Sequence, residues 1–233
     1  MESISIFEIF KIGVGPSSSH TLGPWNAALK FIENLEIEKI DQIQIHLYGS
    51  LSKTGIGHAT DKAVLLGILG YLPQTIDTNK IDDIIFKIKM DKEMNIQGKK
   101  IPFDFKKDLI FESYEHDLHP NTLLFKAFSG GKIIKEQIFA SVGGGFIETE
   151  SSSEVAVEKR NLPFPIQKGV DIIKYTKEQD AIISEIVYKN ELSMRTAEEI
   201  TENIDSILDV ILETIYDGCR TDGILPGLSL IHI

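Results

Sequence analysis

From Gln42 to Tyr48 the apolar residues Ile43, Ile45 and Leu47 alternate with Gln44, His46 and Tyr48, the period-two pattern of a strand with one buried face. After Gly57 the period changes: Ala59, Ala63, Val64, Leu66 and Gly67 recur at helical spacing. The same reading predicts helices near 4–10, 22–34, 58–70 and 79–88, and strands near 41–48, 95–102, 107–113, 122–129 and 132–142. Glu148 to about Gln167 is polar and weakly patterned, with SSSE and LPFP, and reads as a linker. From Gly169 onward the pattern is helical. Ile182, Ile183, Ile186 and Val187 form one apolar stripe, and Ile200, Ile204, Ile207, Leu208, Ile211 and Ile215 form another behind a Thr196/Glu199 capping box. Mixed strands and helices followed by helices alone predict an α+β chain.

With 233 residues, 42% of them hydrophobic, the chain is large enough for one good core or two small domains. A net charge of −11 argues against nucleic acid and anionic membranes, which need basic patches. Met1 is followed by Glu2 and a short amphipathic pattern rather than a basic and then apolar leader. No stretch approaches the roughly 18 uninterrupted apolar residues of a membrane span. The single cysteine, Cys219, excludes an intrachain disulfide and fits a reducing compartment, so a cytoplasmic location is expected.

Three clusters carry candidate chemistry. VGPSSSHTLGP (Val14 to Pro24) gathers Ser17, Ser18, Ser19, His20 and Thr21 in a loop that runs into a helix. Free N–H groups and positive dipole potential at such a junction suit a small carboxylate. TGIGHATDKA (Thr54 to Ala63) places His58 where loop becomes helix, a setting that favours the neutral imidazole a base needs, with Asp61 and Lys62 one turn on to orient it. HPNT (His119 to Thr122) puts His119 and Asn121 about a turn, from which both can face one cleft. SVGGGF (Ser141 to Phe146) sets three glycines between β-like runs, the mark of a bulge or a close backbone approach. Taken singly each has a plain structural reading, as an N-cap, a core histidine or a turn.

Taken together and in this order, VGPSSSHTLGP, TGIGHATDKA, HPN and SVGGGF resemble the N-terminal part of bacterial iron–sulfur L-serine dehydratases, or L-serine ammonia-lyases, over about residues 1–227. The resemblance implies an N-terminal α/β sandwich-like beta domain, similar to the allosteric substrate-binding domain of some phosphoglycerate dehydrogenases, at 1–150. It implies a linker at 151–168 and the start of an all-α catalytic domain at 169–227. The activity implied is conversion of L-serine to pyruvate and ammonia, a step of amino-acid catabolism that feeds gluconeogenesis. By the family's pattern His58 is the base for the α-proton. Ala59 and Thr60 lie near the substrate carboxylate, and His119 and Asn121 form a second polar wall. Ser17 to Thr21 line either that cleft or a separate regulatory serine site. A homodimer is expected.

The implied cofactor is a [4Fe–4S] cluster held by three cysteines, with one iron open as a Lewis acid. One cysteine cannot hold it, so the ligands are expected outside this chain, and Cys219 reads as a buried small hydrophobe. The last six residues, Leu228 to Ile233, resemble translated adapter sequence and are expected to be non-native. A stand-alone beta subunit or serine-sensing module is the alternative reading. A pyridoxal-phosphate mechanism is more distant, since no lysine sits in a convincing cofactor setting.

Overall fold

The computed structural model describes residues 4–33, 35–150 and 161–221. Its contacts divide the chain into two units, one built on residues 13–153 and the other on 1–12 with 154–222. The adapter-like tail and much of the expected linker lie outside the described residues.

The first unit is mixed α and β. Strand β1 (Gln42–Leu47) lies inside a five-stranded sheet with β4 (Leu109–Phe111), β5 (Thr122–Ser129), β6 (Lys132–Gly143) and β7 (Phe146–Thr149), in the order β4-β1-β5-β6-β7. Only the β1–β4 pair is parallel, with Ile45 opposite Leu109; on the other side Ile45 faces Phe125 in an antiparallel ladder. The alternation predicted for β1 is observed: Ile43, Ile45 and Leu47 are fully buried. They join Phe125, Phe139 and residues of helices α2 (Gly23–Glu33) and α4 (Thr60–Ile68) in one core. Each such side chain contributes about 1.5–3 kcal/mol on burial. The two helices pack closely at Gly67, where a Cβ would come within 2.6 Å of both Ala28 Cβ and the Trp25 carbonyl oxygen.

Several elements differ from expectation. A six-residue helix, α3 (Gly49–Thr54), follows β1 directly, and a five-residue π-helical turn, Ser18–Leu22, precedes α2. The helix expected at 79–88 is α5 (Ile81–Asp91). The strand expected at 95–102 is a hairpin of β2 (Glu93–Ile96) and β3 (Lys99–Pro102). Gln97 and Gly98 both take positive φ at its turn, as a tight two-residue loop requires. The triple glycine joins β6 to β7 as a hairpin whose register shifts between Ser141 and Gly143.

The second unit contains α1 (Ile6–Ile9), α6 (Gly169–Gln179), α7 (Ile183–Glu191) and α8 (Ala197–Gly218). The Thr196/Glu199 capping box is present at the start of α8. The buried Glu191 carboxylate accepts hydrogen bonds from Ser5 Oγ (2.9 Å) and the Ile6 N–H (2.9 Å) and pairs with Arg195 (2.7 Å). Residues 4–12 are thereby tied to α7. Cys219 is not the buried residue expected: every residue from Ile211 to Arg220 is exposed, the thiol included, because no described element covers these last turns.

Candidate active site

Ser17 begins the site. Its Oγ accepts the His20 N–H (3.1 Å), and its carbonyl accepts both the Thr21 N–H (2.9 Å) and the Leu22 N–H (3.3 Å), the widened turn that makes the segment π-helical. The Ser18 and Ser19 N–H groups and the exposed Ser18 hydroxyl carry no hydrogen bond among the described residues. They open the continuous helical segment 18–33 and are its natural anion donors.

His20 lies between two hydroxyls, Ser19 Oγ at 2.9 Å from Nδ1 and Ser50 Oγ at 2.8 Å from Nε2. Its ring centre is 4.8 Å from that of His58. Burial first, and the neighbouring His58 second, hold the His20 pKa below the usual histidine value, which favours the neutral ring.

His58 ends a short 3₁₀ turn, Ile56–His58, ahead of α4. Its Nδ1 is 3.0 Å from the Thr54 carbonyl, which only accepts, so Nδ1 carries a proton, and in the neutral ring the lone pair is on Nε2. The orienting partner is thus Thr54. Asp61 and Lys62 do not fill that role, and Lys62 instead pairs with Asp82 at 2.6 Å. Ala59 links His58 to α4 in the left-handed region (φ 55°), which for a non-glycine residue costs on the order of 1–2 kcal/mol. The surroundings fix it there: the Ala59 N–H donates to the Ile56 carbonyl (3.2 Å), the buried Thr60 hydroxyl donates to the His20 carbonyl, and the Thr21 hydroxyl donates to the His58 carbonyl (2.8 Å). Thr60 therefore spends its hydroxyl joining the two histidine segments.

The other two motifs close the ring. Ser141 Oγ donates to the Ser19 carbonyl (2.7 Å), the Ser141 N–H donates to the Asn121 carbonyl (2.9 Å), and Asn121 Nδ2 donates to the Ser141 carbonyl (3.3 Å). The Ser50 N–H reaches the Pro120 carbonyl (2.8 Å). His119 is tied to its own turn, where Nδ1 accepts the Asn121 N–H at 3.0 Å. Asn26 Nδ2 holds the Gly145 carbonyl (2.9 Å), and Gly145 (φ +74) approaches so closely that a Cβ would meet Leu22 Cδ2 at 2.7 Å. Ser50, Thr54 and Ser141 take part without having been singled out from the sequence. Ser50 and Thr54 are carried by α3, whose small polar residues show no periodic signal.

No group of three or more histidine, cysteine or acidic side chains suited to a metal is found among the described residues. With one cysteine, exposed at the end of α8, the chain does not supply the thiolates of a [4Fe–4S] cluster.

The profile of the serine dehydratase beta chain family matches residues 5–152. An L-serine dehydratase of Haemophilus influenzae is 35% identical over 234 residues, covering 96% of this chain and 51% of the relative. L-serine dehydratase 2 of Escherichia coli is 33% identical with the same coverage, and an L-serine dehydratase of Streptomyces coelicolor is 33% identical over 97% of this chain and 52% of its own length. The chain thus spans about half the length of the curated relatives it matches. Both histidines and all four loops of the hydrogen-bonded ring fall inside the matched region, and the chain belongs to the serine dehydratase beta chain family.

Proposed function

We propose that this chain carries the substrate-handling part of an L-serine ammonia-lyase, which converts L-serine to pyruvate and ammonia through aminoacrylate. The observation that supports this most is the single hydrogen-bonded ring joining four loops distant in sequence around the His20–His58 pair. The Ser18 and Ser19 N–H groups and the Ser18 hydroxyl receive the substrate carboxylate. His58 takes the α-proton on Nε2, since its Nδ1–H is committed to the Thr54 carbonyl. Asn121 lines the opposite wall, with His119 bracing its turn. The cluster expected of the family is held by residues outside this chain. Residues 1–150 correspond to the beta domain and 169–227 to the beginning of a helical catalytic domain, in a cytoplasmic homodimer. No described helix is long and apolar enough to cross a membrane.

L-Serine titrated into the chain is expected to shift the His20 and His58 ring resonances saturably, and more strongly than D-serine; absence of any shift removes the site. In the protein that joins this chain to the cluster-binding part, His58→Ala is expected to lower kcat about 10²- to 10⁴-fold with the fold intact. Near-normal turnover removes His58 from the base role. A regulatory serine-binding module is the second reading, favoured by the closure of the whole ring within one compact unit. L-Serine binding that survives alongside unaltered turnover in His58→Ala selects it.

A further inference from the structure

One short helix holds both imidazoles. In α3, Ser50 Oγ lies 2.8 Å from His20 Nε2, and one turn later the Thr54 carbonyl accepts His58 Nδ1–H at 3.0 Å. The two holding residues are themselves linked, because Thr54 Oγ1 donates to the Ser50 carbonyl at 2.9 Å. The helix is also fixed at its start. Gly49 has φ +51, and a Cβ there would fall 2.5 Å from the Pro120 carbonyl oxygen, while the Ser50 N–H donates to that same oxygen. His20 is gripped from its other side by Ser19 Oγ at Nδ1, so its ring cannot turn without losing a hydrogen bond.

We propose that Ser50 is a positioning residue of this site: its hydroxyl, donating to His20 Nε2 or accepting from it, holds the His20 ring in its orientation against His58. The inference rests on the reading of the site as an L-serine site. Ser50 serves the fold through its backbone N–H and carbonyl, which any residue supplies, whereas among the described residues its side chain hydrogen-bonds His20 alone. A neutral imidazole donates from one nitrogen and accepts at the other, and a hydroxyl can do either, so Ser19 and Ser50 together satisfy both ring nitrogens and pin the ring between them. Removing the Ser50 hydroxyl leaves Nε2 without its partner among the described residues and frees the ring to turn about its Nδ1 contact.

The test uses this chain with 15N-labelled histidine, comparing wild type, Ser50→Ala, Ser50→Thr and the control Ser52→Ala two residues on in α3. Wild type, Ser50→Thr and Ser52→Ala are expected to share one set of His20 ring 15N shifts. Ser50→Ala is expected to show a displaced Nε2 shift, the sign of a lost hydrogen bond, with L-serine affinity weakened roughly fivefold, the equivalent of one neutral hydrogen bond. An unchanged His20 pattern in Ser50→Ala overturns the proposal, as does a displaced pattern in Ser50→Thr. If Ser50→Ala fails to fold, Ser50→Cys, which keeps the volume but offers only a weak donor, carries the same comparison. If wild type binds no L-serine while Ser50→Ala still displaces the His20 Nε2 shift, the substrate reading falls and the positioning role stands.

Discussion

Gly23→Ala separates a packing constraint from helix propensity because the two predict opposite signs. Gly23 opens α2 with ordinary helical dihedrals (φ −61, ψ −52), where alanine normally gains about 0.5–1 kcal/mol. Here a Cβ would sit 2.0 Å from Ser141 Oγ and 2.9 Å from Ser141 Cβ, atoms of a buried strand residue with nowhere to move. Overpacking of this kind costs about 1–3 kcal/mol, and displacing the Ser141 hydroxyl from the Ser19 carbonyl costs about 1 kcal/mol more. The expected balance is a loss of about 2 kcal/mol. The assay is urea unfolding followed by Trp25, the one tryptophan of the chain, which lies two residues away and is 1% exposed. With a typical urea dependence of about 1–3 kcal/mol per molar, the midpoint falls by roughly 1 M. Gly23→Ala/Ser141→Gly removes both clashing Ser141 atoms and leaves the next nearest, the Ser18 carbonyl oxygen, at 3.4 Å, so the double variant is expected to be more stable than the sum of the singles by about 1 kcal/mol or more. A midpoint for Gly23→Ala at or above wild type refutes the reasoning, and strict additivity refutes the assignment of the clash to Ser141.

In the helical unit, Glu191→Ala removes the acceptor of Ser5 Oγ and the Ile6 N–H and takes the carboxylate from Arg195, at a cost of about 3 kcal/mol; amide exchange at Ile6 is expected to accelerate, and unchanged exchange contradicts it. Because the folded His20 pKa lies below its ordinary value of 6.5, the unfolded chain binds a proton there first as the solution is acidified. Its stabilising contribution is full above pH 6.5 and is lost as the pH falls toward the folded value, so wild type is expected to lose more stability than His20→Asn between pH 7.5 and 5. Parallel stability profiles for the two proteins defeat this.

Elements with one strongly apolar face were legible in the sequence. β1 declared itself by strict alternation, and α2 and α4 by helical recurrence, because burial of those faces drives their formation; α8 carries the same recurrence although Ile200 alone of its described residues is buried. What escaped was structure held by tertiary hydrogen bonds. α3 reads Gly-Ser-Leu-Ser-Lys-Thr and buries only Gly49 and Leu51, so nothing periodic marks it, yet it carries the groups that grip both histidines. The hairpin hidden in 95–102 turned on Gln97-Gly98, a weaker turn signal than Asn-Gly. Cys219, expected to be buried because of its residue type, is exposed because no described element covers the end of α8. Within the site, residue type pointed to His20, His58 and the serines, but the roles of individual atoms did not follow from it. The Thr60 hydroxyl donates to the His20 carbonyl, a partner that its residue type did not indicate.

The bond from Ser141 to the Ser19 carbonyl spans 122 residues. During synthesis at about 5–20 residues per second, the histidine loops therefore wait roughly 6–24 s for the strand that completes them. Throughout that interval the nascent chain carries both histidine segments without the hydroxyl that ties the Ser19 carbonyl, and an N-terminal piece that ends before Ser141 cannot make this bond.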